Sequence, residues 1–256
     1  MRVLLTNAAF LQNLLARQCE VSVLDDDPRD REAAARATSG IDAVVCGLPT
    51  GDPLHALDSA SRGVYNLITT ATAAKRFILL SSVRPFERYP LDHTVTEYWA
   101  PWPSTHPDDL VAFVAEAVVR EASHTLPLKA LCLRLGTVVD SRSSADSRAV
   151  HLDDVLQAVE RALEFEPPSG EPPGGWWAFH IVGAGRTRFP LGMASDAGNT
   201  ALRPARLGYT PRHDVAGDTP LTPMAFDPPR RFTDQPGGAA RRVVIFGAGG
   251  PLAAIS

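Results

Sequence analysis

The chain has little cysteine: three in 256 residues, Cys19, Cys46 and Cys132, far apart and in apolar surroundings. No CxxC pair and no Cys/His zinc spacing occurs, so no metal site is expected and the thiols are read as buried and reduced. No apolar run approaches the roughly 20 residues that cross a bilayer. No basic run exceeds two residues, and the formal net charge is −4 with a pI near 6.0. Neither a nucleic acid nor an anionic membrane surface is therefore expected as partner. A signal-peptide layout is also lacking: the first residues, MRVLLT, read directly as a strand. Together these absences predict a cytoplasmic protein. What is present is ordinary globular material, 45% hydrophobic and 21% charged, enough for one substantial core. Proline is the exception, with 22 residues, many of them after Pro167, which predicts a loop-rich second half.

Apolar runs and helix-period stretches alternate along the chain. Strands are predicted at 1–6, 21–25, 41–48, 76–82, 128–139 and 176–183. Helices are predicted at 11–18, 30–37, 52–75, 108–123 and 151–164. The near-continuous apolar run IDAVVCGL (41–48) suits a strand buried on both faces. A β-α-β order of this kind implies an α/β fold, a Rossmann-like doubly wound parallel sheet with a small, loop-rich C-terminal region. No repeat of 20 to 50 residues interrupts it.

Four segments, in order, resemble one family. GVYNLITTATAAKRFILLSS (63–82) is similar to the "GTxNLLEAAxxAGVKRFVxxSS" stretch of extended short-chain dehydrogenases, the NAD-dependent epimerase/dehydratase family. LCLRLGTVV (131–139) resembles its strand-plus-Arg segment, and VHLDDVLQAVERALE (150–164) its "VHVDDVAxAxxxALE" helix. LGYTPRHD (207–214) resembles the "LGYxPxxD" tail in the style of uronate dehydrogenases. The resemblance covers roughly residues 1–215. It implies a domain binding NAD or NADP, a sugar-like or uronate-like substrate, and a YxxxK pair in which Tyr is the general acid/base and Lys lowers its pKa. It further implies a Ser or Thr at the end of the fourth strand that orients the substrate oxygen. It also implies a homodimer through the 52–75 and 108–123 helices.

The residues that would carry this chemistry depart from the family pattern. Where the family has TGxxGxxG after its first strand, this chain reads TNAAFLQNLL (6–15), with no glycine and about six residues fewer. Glycines there let the backbone approach a pyrophosphate; a left-handed Asn7 is the available substitute. Asp25 ends the second strand, where an acid can hold the adenosine ribose; a solvated acidic turn of Asp25, Asp26 and Asp27 is the alternative. The strand that normally follows is missing, and Leu48 and Pro49 crowd the place beside the cofactor. Ser82 matches the substrate-orienting hydroxyl, or else caps its own loop. Aligning Glu116 with the Glu of YxxxKxxxE puts Asp108 at the Tyr position and Ala112 at the Lys position. Tyr89 and Tyr98 have no Lys or Arg four residues on. His151 with Asp153 and Asp154 reads as a helix start, the other histidines are scattered, and Ser, His and Asp occur without a GxSxG elbow. Trp176 or Trp177 is a candidate stacking residue.

The only intact phosphate-loop spacing is at the end, in RRVVIFGAGGPLAAIS, with Gly247, Gly250 and Ala253. It is read first as the opening of a second, similar unit, with 227–242 as linker. The alternatives are a strand and loop that pack beside residues 2–6 and supply the cofactor-binding glycines, or a terminal strand with a Gly turn. The division expected is a Rossmann-like domain at 1–165, a reduced substrate region at 166–226, the linker at 227–242 and the added unit at 243–256. Two functions follow: a degraded, binding or regulatory member of the family, or an active NAD(P)-dependent oxidoreductase or epimerase. The lost loop, Tyr and Lys favour the first.

Overall fold

The computed structural model describes residues 1–90, 95–97, 99–140, 146, 148–167, 175–183, 189 and 207–215. The chain divides into two units, Met1–Ala225 and Phe226–Ser256. Linker 227–242 and the glycines Gly247 and Gly250 lie outside the described residues, as does Tyr98.

The strands, in chain order, are β1 Arg2–Thr6, β2 Glu20–Val23, β3 Ala43–Gly47, β4 Arg76–Ser82, β5 Lys129–Leu135, β6 Val138–Val139, β7 Val150–His151 and β8 Gly175–Ile181. Between them run α1 Gln12–Leu15, α2 Arg31–Thr38, α3 Pro53–Asp58, α4 Val64–Thr70, α5 Pro107–Ser123 and α6 Leu152–Glu164. Six of the strands form one parallel sheet in the order β2-β1-β3-β4-β5-β8. The short parallel pair of β6 with β7 forms a second sheet just past the end of β5. Side chains alternate between the faces of the main sheet, and each face is covered. Val3, Leu5, Val45, Ile78, Leu80, Leu131 and Leu133 face a core closed by α1 and α6. Leu4, Val44, Cys46, Phe77, Leu79 and Cys132 face the other, closed by helices that include α4 and α5. Cys46 and Cys132 are buried, Cys19 is half-buried, and all three thiols are free.

Helix starts obey local chemistry. Asp30 caps α2 and Asp52 caps α3, each through its carboxylate. Pro53 and Pro107 sit in first turns, where the missing N–H costs nothing.

Several predicted bounds are corrected. The long helix of 52–75 is α3, a π-turn at Ser59–Gly63, and α4, and it stops at Thr70. There Thr69 and Thr70 donate their hydroxyls to the carbonyls of Tyr65 and Asn66, competing with the helix ladder. The 11–18 helix keeps one turn, Gln12–Leu15, preceded by a 3-10 turn at Ala9–Leu11. The 128–139 strand ends at Leu135, and Val138–Val139 leave the main sheet. Gly136 makes that departure, since a Cβ there would lie 1.8 Å from the Arg148 carbonyl oxygen. Among the described residues no further strand lies between β2 and β3, as the sequence suggests, and β2 has a partner only in β1. β1 itself is bonded on both edges, by β2 and β3.

Candidate functional site

The carboxyl ends of β1, β3, β4 and β5 surround a cavity of about 720 Å³. In an open parallel sheet this end, where strand order reverses, is where ligands bind. The reversal here lies between β1 and β3. Asn7, Phe10, Gly47, Leu48, Leu80, Ser81, Ser82, Leu135 and Gly136 line the cavity, with Val138, Val139, Asp140 and Leu152 across from β1.

The turn after β1 is held by its own residues. Asn7 takes the left-handed conformation expected of it, with φ 50°. Its amide Nδ2 donates to the Gly47 carbonyl at 3.4 Å. A Cβ at Gly47 would lie 2.3 Å from the Asn7 carbonyl oxygen, so β3 and this turn pack backbone on backbone. Ala8 and Leu11 are fully buried, and Phe10, 49% exposed, is aimed at the cavity. The following helix has four residues, too few for an appreciable macrodipole.

The β4 end is different. Ser81 donates to Glu116 Oε1 at 2.6 Å, and Arg134 donates to both Glu116 carboxylate oxygens at 2.9 to 3.2 Å. Arg134 Nη1 also donates to the Glu97 carbonyl at 3.0 Å, and the guanidinium lies 4.2 Å above the Phe86 ring. Glu116 and Arg134 are both about 95% buried. Desolvation pulls the Arg134 guanidinium down, but the Glu116 charge and hydrogen bonds together with Cys132 and Glu97 outweigh it, and the net direction is upward. Burial, with Glu116 close by, drives the Cys132 thiol well above its ordinary range, so it stays protonated.

Ser82 lines the cavity, and its Oγ accepts the Arg84 backbone N–H at 3.2 Å, so it faces the cleft and caps its loop at once. Asp108 is exposed at the start of α5, 3.9 Å from Arg84 Nη1 and 3.7 Å from His106 Nδ1, and does not line the cavity. Ala112 is fully buried. Tyr89 donates its hydroxyl to the Ala100 carbonyl at 2.7 Å and packs edge-on against Trp99 and Trp102. Asp25 is exposed, two residues past β2, and is not among the lining residues. Neither are Trp176 and Trp177, which lie on β8, Trp177 packing 5.4 Å from the Phe165 ring.

Three features escaped the sequence. Asp109, buried next to Asp108, binds Arg84 at 2.9 Å and the Ser104 hydroxyl at 2.6 Å, locking the proline-rich loop to α5. On β8, His180 is fully buried between Phe86 and Phe189, and neither ring nitrogen has a hydrogen-bond partner among the described residues. Burial, then the Arg134 charge, pulls its pKa down to about 3. Finally, His151 meets one of the histidines that look scattered in sequence: it stacks on His213 with centroids 4.0 Å apart. Buried Asp154 holds them together by accepting the Arg212 and His213 backbone N–H groups at 2.9 and 3.1 Å. This straps the LGYTPRHD tail to α6; only the acidic pair at 153–154 signalled it. His151, Asp153 and His213 offer three donor atoms within 4.8 Å. The rings lie only 23° from parallel, and His151 Nδ1 already accepts the Asp153 N–H, so their lone pairs do not converge on one ion.

No protein-family model matches the chain, and no curated protein sequence matches it. Solved structures do. A glucuronic acid dehydrogenase from Chromohalobacter salexigens superposes with a TM-score of 0.65 at 17% identity, covering 82% of this chain and 84% of that one. Uronate dehydrogenase from Agrobacterium tumefaciens gives 0.60 at 19% identity, covering 72% and 77%. UDP-glucose 4-epimerase from Thermus thermophilus, solved with NAD, gives 0.57 at 18% identity, covering 72% and 78%. The chain thus has the Rossmann-like fold of the extended short-chain dehydrogenases, as the motifs implied. No helix among the described residues is long and apolar enough to cross a membrane.

Proposed function

We propose that this chain is a small-molecule-binding or regulatory protein built on the short-chain dehydrogenase fold, with hydride-transfer chemistry lost. The observation that carries this reading is the paired change at Asp108 and Ala112. An exposed carboxylate and a buried methyl stand where a phenol and an ammonium are needed. Ala112 has no ionisable group, and Asp108 is not among the residues lining the cavity. The turn after β1 supports the same reading, because buried Ala8 and Leu11 and the side chain of Phe10 occupy the place of a glycine loop. The NAD that the Thermus thermophilus epimerase holds does not fit such a turn. Asp25 would be the ribose contact, Ser82 the substrate contact, and Gly247 and Gly250 the replacement phosphate loop if the alternative, an active oxidoreductase or epimerase on a sugar or uronate, held. Ser82 on the cavity wall is the one feature favouring that alternative.

Calorimetric titration of the full chain with NADH and NADPH decides between them. No heat and no change in Tm is expected. Micromolar binding of either, with turnover of a uronate, would remove the proposal. The fold also carries exposed Leu54, Tyr65 and Phe113 on α3, α4 and α5, which supports a homodimer through those helices; sedimentation equilibrium should return twice the chain mass.

A further inference from the structure

The cavity is within the size range of small-molecule sites. Its walls are mainly apolar, lined by Phe10, Leu48, Leu80, Val138, Val139 and Leu152. Among the described lining residues there is no lysine or arginine, and the single charged side chain is the Asp140 carboxylate. A diphosphate brought here would meet an anion, no cation among the described lining residues, and a helix of four residues. Desolvating an unpaired charge costs several kcal/mol, to order of magnitude. Asp140 is exposed, so its charge is screened; it repels anions at the mouth without demanding a cation. Phe10 and Val138 are 49% and 39% exposed, apolar surface that a ligand would take out of water. Of the two lining hydroxyls, Ser81 is spent on Glu116 and Ser82 is on offer. Ser82 Oγ accepts the Arg84 N–H, which leaves its own proton to donate into the cavity.

We infer that this cleft binds an uncharged, apolar molecule of ring-system size carrying one hydrogen-bond acceptor. Its rings sit against Phe10 and Val138, and its acceptor receives the Ser82 hydroxyl. The inference rests on the reading proposed above, since it gives the cleft a ligand other than a dinucleotide.

The probe is prodan, an uncharged naphthyl ketone whose emission moves to the blue in apolar surroundings, titrated with the full chain. Saturable, blue-shifted emission is expected at one site per chain, unchanged by millimolar NADH, NADPH or ADP-ribose. Phe10→Asp and Val138→Asp should each weaken binding about tenfold or more by putting a carboxylate against the rings. Both positions are solvent-touched, so circular dichroism should match the parent. Ser82→Ala should weaken binding about threefold to tenfold, one hydrogen bond's worth. Equal affinity in the parent and both Asp variants overturns the site. Absence of saturable prodan binding, with no NADH binding either, overturns the ligand class and leaves the loss of hydride transfer standing. NADH binding, or its displacement of prodan, overturns both.

Discussion

The β4–α5–β5 junction and the β1–α1 turn border the same cavity and hold their residues for opposite reasons. At the junction Ser81, Glu116 and Arg134 are buried and satisfy one another. Changing any one leaves a charge or hydroxyl orphaned in the core, so the set persists as a unit whatever the protein does. At the turn the family's glycines would face solvent and a ligand. In this chain Ala8 and Leu11 are buried at that turn. Polar groups at the junction are fixed by one another; those at the turn are fixed by packing.

The comparison breaks first at Glu116. Glu116→Ala should cost about 3–5 kcal/mol in urea unfolding, because Arg134 is left buried without its carboxylate. A cost under about 1 kcal/mol would mean the junction is as replaceable as the turn. His180, paired in register with Arg134 across β5 and β8, supplies the contrast within the core. Its folded pKa lies near 3 against an ordinary 6.5, so the unfolded chain binds the proton first. Stability from this group is therefore complete above pH 6.5 and falls by about 1.4 kcal/mol per pH unit down to about pH 3. His180→Phe should flatten that acid limb and raise Tm at neutral pH, by removing two unpartnered nitrogens. Gly47→Ala should cost about 1–3 kcal/mol, since the Asn7 backbone cannot yield to the new Cβ. The smallest effect belongs to Asn7→Gly, which relieves a left-handed backbone and should stabilise by under about 1 kcal/mol without conferring NADH binding. Gain of NADH binding by that single change would show the turn to be one residue from function.

Much of this was legible from residue pattern. Alternating apolar runs placed the strands, because a sheet buried on both faces needs them, and Asn7 was legible because few residues tolerate positive φ. The proposed loss of Tyr and Lys rests on spacing to Glu116 alone. What stayed hidden depends on distance in the chain or on packing. The partnership of His151 with His213 is set by Asp154 gripping a backbone 58 residues on. The inward aim of Phe10 follows from the burial of Ala8 and Leu11 on either side of it. The π-turn in the 52–75 helix and the two-residue β6–β7 pair leave no periodicity long enough to read.

The absence of a described strand beyond β2 has a consequence for how firmly the sheet is held from side to side. The four residues of β2 are bonded along β1 alone, while β3 and β4 are bonded on both flanks and covered on both faces. Among the described residues, the amides of β2 that point away from β1 have no strand to protect them. In deuterium oxide they should exchange through shallow, local openings, and protection should deepen strand by strand toward β4. The sheet thus has a soft margin at β2 and a firm spine through β4, beside Ser82.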